Sequence, residues 1–424
     1  MSEELRDPAE DMPVPLPDMA IVEEMQMGIV NRFADVKEQK AAGRPVVYAS
    51  VLAPKEILLA MDVATVYSDV LGSYAAIFGM SAEYCQIAEK DGLSRDVCAV
   101  HRCALGVACA EERDPFFDMA FVEPDLTIGL NFPCISMSKS FLAIADRFKT
   151  PYYFLDIPVN KWGHDIPEHA VRYYADQMRG LIDFLRHHGY EFSMQRLQDE
   201  VAFTKKLNVL LAEIDTYKQA VPLPISAYDN VIATTAPIAL SREARTMDIF
   251  ERYRDELKAR VERGHGVVAN ERLRLAWIGM PPLADFKLLN YPERHGAVVV
   301  KSMLEILTGF TLDPDLMDPE HPLESLARAQ LASPANPLYY SVIDYFVRAV
   351  KDYKVDGIIS VVKRSCGFMP GLQRLAKDEI YKATGVPSTV FDLDGVDVRE
   401  YDAPKVKEQI DSFVETLLAR KGVQ

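Results

Sequence analysis

Short apolar, β-branched runs alternate with amphipathic stretches over most of this chain. VVYASVL (Val46–Leu52) reads as a strand and is followed by a helix at Pro54–Asp62, with proline in the first turn, where its missing N–H costs nothing. Helical periodicity covers about 75–89 and 94–112, with Ser94 as a plausible cap for the second. LTIGLN (Leu126–Asn131) is the next strand, then a helix Ser136–Phe148 and a strand Pro151–Pro158. From 167 to 263 no strand pattern appears; the periodicity predicts three long helices, 167–188, 194–219 and 241–263. Strands resume at Leu273–Gly279, Gly296–Met303, Gly357–Ser365 and Pro387–Asp394, with helices at 337–353, 369–383 and 404–420. Strands that alternate with helices predict parallel sheets covered on both faces. The expected class is therefore α/β, with two Rossmann-like parallel-sheet domains joined by a helical insertion. The expected division is an acidic tail and helix over 1–45, a first α/β domain over 46–160, a helical segment over 161–270 and a second α/β domain over 271–424. Within the first part, a disordered acidic start precedes a helix over 18–39.

Composition narrows the field. The 424 residues are 49% hydrophobic and 26% charged, as in an ordinary globular protein. No run approaches the ~20 apolar residues of a membrane span. The start, MSEELRDPAEDMP, lacks the apolar core of a secretory signal. A cytoplasmic protein with no membrane partner is expected. The formal net charge of −16 argues against nucleic acid, whose phosphates need a basic surface. The sequence has no GxxxxGK[ST] loop, no GxGxxG after a strand, no GxSxG and no HExxH, so P-loop ATP binding and the usual dinucleotide fingerprint are not expected.

The cysteines carry the candidate chemistry. There are six, Cys85, Cys98, Cys103, Cys109, Cys134 and Cys366, and no CxxC pair. Cys134 directly follows one predicted strand and precedes a helix; Cys366 does the same after another. Ligands in open α/β sheets bind at the carboxyl ends of strands. Cys98 falls in the first turn of a predicted helix. The positive end of a helix favours the thiolate that binds metal. Cys103 points to another face, and Cys109 lies about 16 Å along the helix from Cys98. Cys85 is kept as a weaker candidate near the site. A lone cysteine is most often a small buried hydrophobe. A zinc site on Cys98, His101, Cys103 and Cys109 is an alternative, although a continuous helix does not converge such a set.

The segments SRDVCAVHRCALG (94–106), NFPCISMSKSF (131–141), DGIISVVKRSCGF (356–368) and ATGVPSTVFDLDGVDVREYDAPKVKEQIDSF (383–413), with APKEILLAMD (53–62), resemble the family of 2-hydroxyacyl-CoA dehydratases and benzoyl-CoA reductases. After Cys98 the chain reads Ala-Val-His-Arg, where family members often carry an aromatic residue and then a basic one. The resemblance implies a [4Fe–4S] cluster on Cys98, Cys134 and Cys366, with one iron left open. It implies one-electron chemistry on an acyl-CoA thioester, through a ketyl radical that expels the hydroxyl group, or through related reduction of an aromatic ring. It also implies a homologous second subunit and a separate ATP-dependent iron–sulfur activator, in keeping with the missing P-loop. Glu56 would be a base or substrate contact. Lys363 and Arg364 could meet cluster charge or CoA phosphates, and Asp392 and Asp394 would cap the loop after the last strand. A non-catalytic electron-transfer or maturation protein with the same cluster is the competing reading.

Overall fold

The computed structural model describes residues 18–163, 165–240, 244–307, 313–336 and 339–422. Its frame is two four-stranded sheets, all parallel. The first contains β1 (Val46–Ala49), β2 (Ala64–Tyr67), β3 (Leu126–Leu130) and β4 (Tyr152–Leu155) in the order β2-β1-β3-β4. The second contains β5 (Leu273–Ile278), β6 (Ala297–Ser302), β7 (Gly357–Val362) and β8 (Ser388–Asp392) in the order β6-β5-β7-β8. The expected α/β class and pair of parallel sheets are thus observed. The order is the same in both. The chain starts in the interior, steps outward and crosses back, so each sheet has a switch point, between β1 and β3 and between β5 and β7. There the connections leave in opposite directions and open a crevice at the carboxyl ends.

β1, β2, β3, β5 and β6 are buried at every residue. This is why they read as near-continuous apolar runs rather than as alternation: helices cover both faces. One apolar cluster contains Ile128 and Leu130 of β3 together with Ile278 of β5 and Ile358 of β7, so the two sheets share a core. Between β4 and β5 the described residues contain no strand. Helices Glu168–His187, Met194–Tyr217, Ala227–Ala239 and Ala244–Glu262 fill that interval.

Several elements differ from the pattern-based expectation. β2 was not anticipated: ATVY is four residues long and follows the Pro54–Asp62 stretch without a clear break. The helix expected at 75–89 is two helices, Ser68–Ile77 and Ser81–Lys90, parted at Gly79, whose φ of 75° a glycine adopts freely. The helix expected at 94–112 runs Ala99–Cys109. Ala227–Ala239 was missed because it carries Pro237 and is buried almost all round, Asp229, Asn230 and Thr234 included, so no exposed polar face sets a period. Pro322–Ala332 is a further unanticipated helix. The acidic start at 1–17 and the first residues of the helices expected from 241 and 337 lie outside the described residues. No described helix is long and apolar enough to cross a membrane.

A charged latch joins the two sheets' elements beside the helix Ala99–Cys109. Buried Arg102 donates from Nη1 to Glu89 Oε1 at 2.6 Å and to Asp397 Oδ2 at 3.0 Å, and from Nε to the Val97 carbonyl at 2.9 Å. Arg399 spans the same two carboxylates, 2.6 Å from Glu89 and 2.7 Å from Asp397. The Ala99 N–H donates to Ser365 Oγ at 3.1 Å, tying the start of this helix to the turn after β7.

Candidate functional site

Equivalent positions of the two sheets supply two of the expected thiols. Cys134 lies four residues past Leu130, the last of β3, and Cys366 lies four past Val362, the last of β7. Cys134 is the N-cap of the helix Ile135–Phe148; Cys366 stands just before the helix Met369–Thr384. Cys98 occupies the N-cap position of the helix Ala99–Cys109, a place the sequence pattern gave to Ser94, which instead closes a local turn with Asp96. All three thiols line one cavity of about 230 Å³. Stretches of sequence separated by more than 200 residues are thus brought to one wall, two of them by the same rule, a loop at the end of a parallel strand.

The thiols sit in a partly compensated field. Lys363, 1% exposed, donates from Nζ to Cys98 Sγ at 3.2 Å. Burial alone would lower its basicity; Cys98, Asp394 and Cys366 outweigh that and hold the ammonium above its ordinary range. The Met369 N–H donates to Cys366 Sγ at 3.4 Å. The Ser136 and Met137 N–H groups favour the thiolate of Cys134. The bare Cys134 thiol is nevertheless pushed up to about 11, first by burial and then by the charge of Cys98 and Cys366. Cys366 is raised by burial and by the charge of Cys98. At Cys134 and Cys366 the helix-end effect expected to lower a thiol is therefore outweighed by desolvation and by the charge of neighbouring sulfurs.

The rest of the wall is mostly apolar. Its charged side chains among the described residues are Asp69 and Lys363. Asp69 follows β2 and opens the helix Ser68–Ile77; it accepts from Ser50 Oγ at 2.7 Å and from the Val51 N–H at 3.2 Å and the Val70 N–H at 3.1 Å. Burial, opposed by these bonds, pushes its carboxyl up to about 6. His101, one turn along from Cys98, is buried with Nδ1 unpartnered; burial and the Lys363 charge push it down to about 3, so the ring is neutral.

The other sequence candidates separate cleanly. Glu56 is 4% exposed and accepts from Thr204 Oγ1 at 3.0 Å. It borders a second pocket of about 70 Å³, which shares Val51, Leu52 and Ile238 with the thiol cavity. Arg364 does not share the position of Lys363: it is an exposed residue paired with Asp392 and Glu400, both at 3.0 Å. Asp394 is buried and caps its loop through the Val396 and Asp397 N–H groups, as expected. Cys85 lies away from the cavity, buried 3.5 Å from Cys103, sulfur to sulfur. Cys109 contacts Asp91. The Cys98, His101, Cys103, Cys109 set therefore does not converge, and among the described residues no three His, Cys, Asp or Glu side chains approach closely enough to hold a single metal ion. A cubane spreads its ligand sulfurs more widely than a single ion does.

Sequence reasoning overlooked Asp69, and considered His101 only for zinc. Asp69 obeys the strand-end rule that selected Cys134 and Cys366; the missed strand β2 hid it.

Residues 50–417 match the family model described as 2-hydroxyglutaryl-CoA dehydratase, D-component. The chain belongs to that family. The match spans both sheets' crevice loops and every residue of the cavity wall except Ile29. The alpha subunit of lactoyl-CoA dehydratase from Anaerotignum propionicum is 25% identical over 91% of this chain and 93% of its own. The alpha subunit of (R)-phenyllactyl-CoA dehydratase from Clostridium sporogenes is 23% identical over 91% and 93%. One of the subunits of benzoyl-CoA reductase from Thauera aromatica is 24% identical over 92% of each chain. The family membership expected from the cysteine-bearing segments is thereby established.

Proposed function

We propose that this chain is the [4Fe–4S]-bearing subunit of an enzyme that removes water from a 2-hydroxyacyl-CoA. Cys98, Cys134 and Cys366 would hold the cluster. The observation that carries this reading is the meeting of three thiols from three separate connections on one enclosed wall, with Lys363 and backbone N–H groups directed at the sulfurs. Thiolate ligation, N–H donors to sulfur and a dry shell are what such clusters use. When bound, the cluster would supply a low-potential electron and an open iron position beside the thioester.

The chain's own residues would perform the remaining tasks. The apolar wall excludes water from the reacting thioester. Lys363 offsets negative charge at the sulfurs. Asp69, with both oxygens engaged, holds the Ser50–Val51 turn that separates the cavity from the Glu56 pocket. Glu56 is a buried carboxylate with a single hydrogen bond among the described residues, so it retains an oxygen to take a proton, and we assign it the base. The relatives are named as single subunits of dehydratases and a reductase, which supports a homologous second subunit here. A separate ATP-dependent activator would provide the electron, since the sequence holds no P-loop.

Anaerobic reconstitution with iron and sulfide tests the reading. Wild type should bind about four irons; Cys134→Ser and Cys366→Ser should lose the stable cluster. Glu56→Gln should keep the iron and lose turnover. Unchanged iron content in Cys134→Ser would refute the site.

A further inference from the structure

His101 is a wall residue to which the function proposed above gives no task. It stands three residues on from Cys98, in the helix Ala99–Cys109. At that spacing the two side chains share a face, and helical side chains lean toward the N-terminal end, here the end with the thiols. His101 lines the thiol cavity, is 4% exposed, and its Nδ1 has no hydrogen-bond partner among the described residues. A buried polar atom in that state costs free energy, and native structures keep few of them. The neighbours do not fill the gap. Phe141 flanks the imidazole at 6.4 Å between ring centroids and offers it neither a lone pair nor an N–H. The wall's other polar side chains, thiols aside, are engaged. Lys363 donates to Cys98, and Asp69 accepts from Ser50, Val51 and Val70. Ser73 Oγ donates to the Asp69 carbonyl at 2.8 Å, and Thr235 Oγ1 to the Ile232 carbonyl at 3.0 Å.

An open polar atom on a mostly apolar wall is how a pocket fixes the orientation of its ligand. The carbon that bears a 2-hydroxyl is bonded to the thioester carbonyl carbon, so this hydroxyl lies at the reacting end, beside the thiols. A hydroxyl both donates and accepts, and therefore satisfies an imidazole nitrogen in either tautomer; a carbonyl does so in one. We propose that His101 reads the substrate's hydroxyl group: its Nδ1 hydrogen-bonds the 2-hydroxyl oxygen and so selects 2-hydroxyacyl thioesters over thioesters that lack it. An aromatic thioester without a hydroxyl would leave the nitrogen bare. This rests on the acyl-CoA reading above and deepens it.

The test is calorimetric titration of the full, anaerobically reconstituted chain with two pairs of thioesters that differ only in the hydroxyl. One pair is (R)-lactoyl-CoA and propanoyl-CoA; the other is (R)-2-hydroxy-3-phenylpropanoyl-CoA and 3-phenylpropanoyl-CoA, with free CoA as the reference. In whichever pair the pocket admits, the hydroxylated member should bind wild type at least about tenfold more tightly. His101→Phe keeps a ring and removes both nitrogens. The preference should fall to near onefold, while iron content and affinity for the member without the hydroxyl hold. His101→Asn, whose amide takes the place of Nδ1, should keep the iron and restore part of the preference. Equal binding of both members in wild type, or a preference that survives His101→Phe, would overturn the inference and leave the thioester function standing. Loss of iron in both variants would set the ring against the cluster rather than the substrate and would also overturn it. Binding of all four thioesters no tighter than CoA would overturn the thioester reading as well.

Discussion

Lys363 illustrates how much one buried residue governs here. A fully desolvated ammonium persists only with negative partners, and this one has Cys98 and Asp394. Replacing it with methionine removes a positive charge from the sulfurs' surroundings. The midpoint potential of the reconstituted cluster should fall in Lys363→Met, read by an EPR-monitored titration, while Arg364→Met, on the surface, should leave it in place. Asp69 governs a different property, the pH dependence of stability. Burial raises its folded carboxyl from the ordinary 3.8 to about 6. The folded state therefore binds the proton more tightly than the unfolded chain, and this contribution to stability, present at low pH, is lost as pH rises through about 4 to 6. Asp69→Asn does not titrate. Between about pH 4 and pH 8, urea unfolding should show its stability relative to wild type improving by about 2–3 kcal/mol; a constant difference would mean that Asp69 titrates normally. Cys134 and Cys366 were legible because each follows a long apolar strand. Asp69 was not, because a carboxylate after a four-residue strand looks like any loop acid.

At the scale of elements, the helix Ala99–Cys109 depends on close approach. A methyl group at Gly106 would overlap the backbone carbonyl of Tyr84, and one at Gly72 would overlap that of Val100. The obstruction is main chain in both cases, so whole helices must move. Gly106→Ala should cost at least roughly 1–3 kcal/mol in denaturant unfolding and should weaken iron retention by shifting the helix that Cys98 opens. The latch on the same helix behaves differently. Arg102→Leu leaves Asp397 to Arg399 alone and the Val97 carbonyl without its donor, and should destabilise by about 1–3 kcal/mol. Arg102→Leu with Asp397→Leu should recover part of this, which a double-mutant cycle measures. Element types were read well where the period was long and two-faced, as in Glu168–His187 and Tyr339–Asp352, which bury one stripe. They were misread where burial erased the period. Ala227–Ala239 offers no exposed polar face, and the helix expected at 75–89 hides a break at Gly79, whose positive φ the period does not reveal.

Across the whole molecule, the α/β class was legible because fully buried parallel strands leave a regular spacing of apolar runs. The convergence of three cysteines was not written in any local pattern. It arises because the two sheets have the same strand order and meet with their carboxyl ends facing one crevice, so Cys134 and Cys366 are counterparts and Cys98 enters from the first sheet's side. A group that bridges them would bind only the assembled form, since the unfolded chain scatters these thiols over more than 260 residues. Ligands that bind the native state alone raise its stability by mass action. Reconstituted wild type should therefore unfold at higher urea than the same protein stripped with a chelator, in one transition. Cys98→Ser and Cys366→Ser, which remove a ligand from opposite sides of the crevice, should each abolish the difference between the two preparations. If Cys366→Ser removed it and Cys98→Ser did not, the bridging group would be anchored by the turns after β3 and β7 without the helix Ala99–Cys109, and Cys98 would belong to the wall rather than to the ligand set.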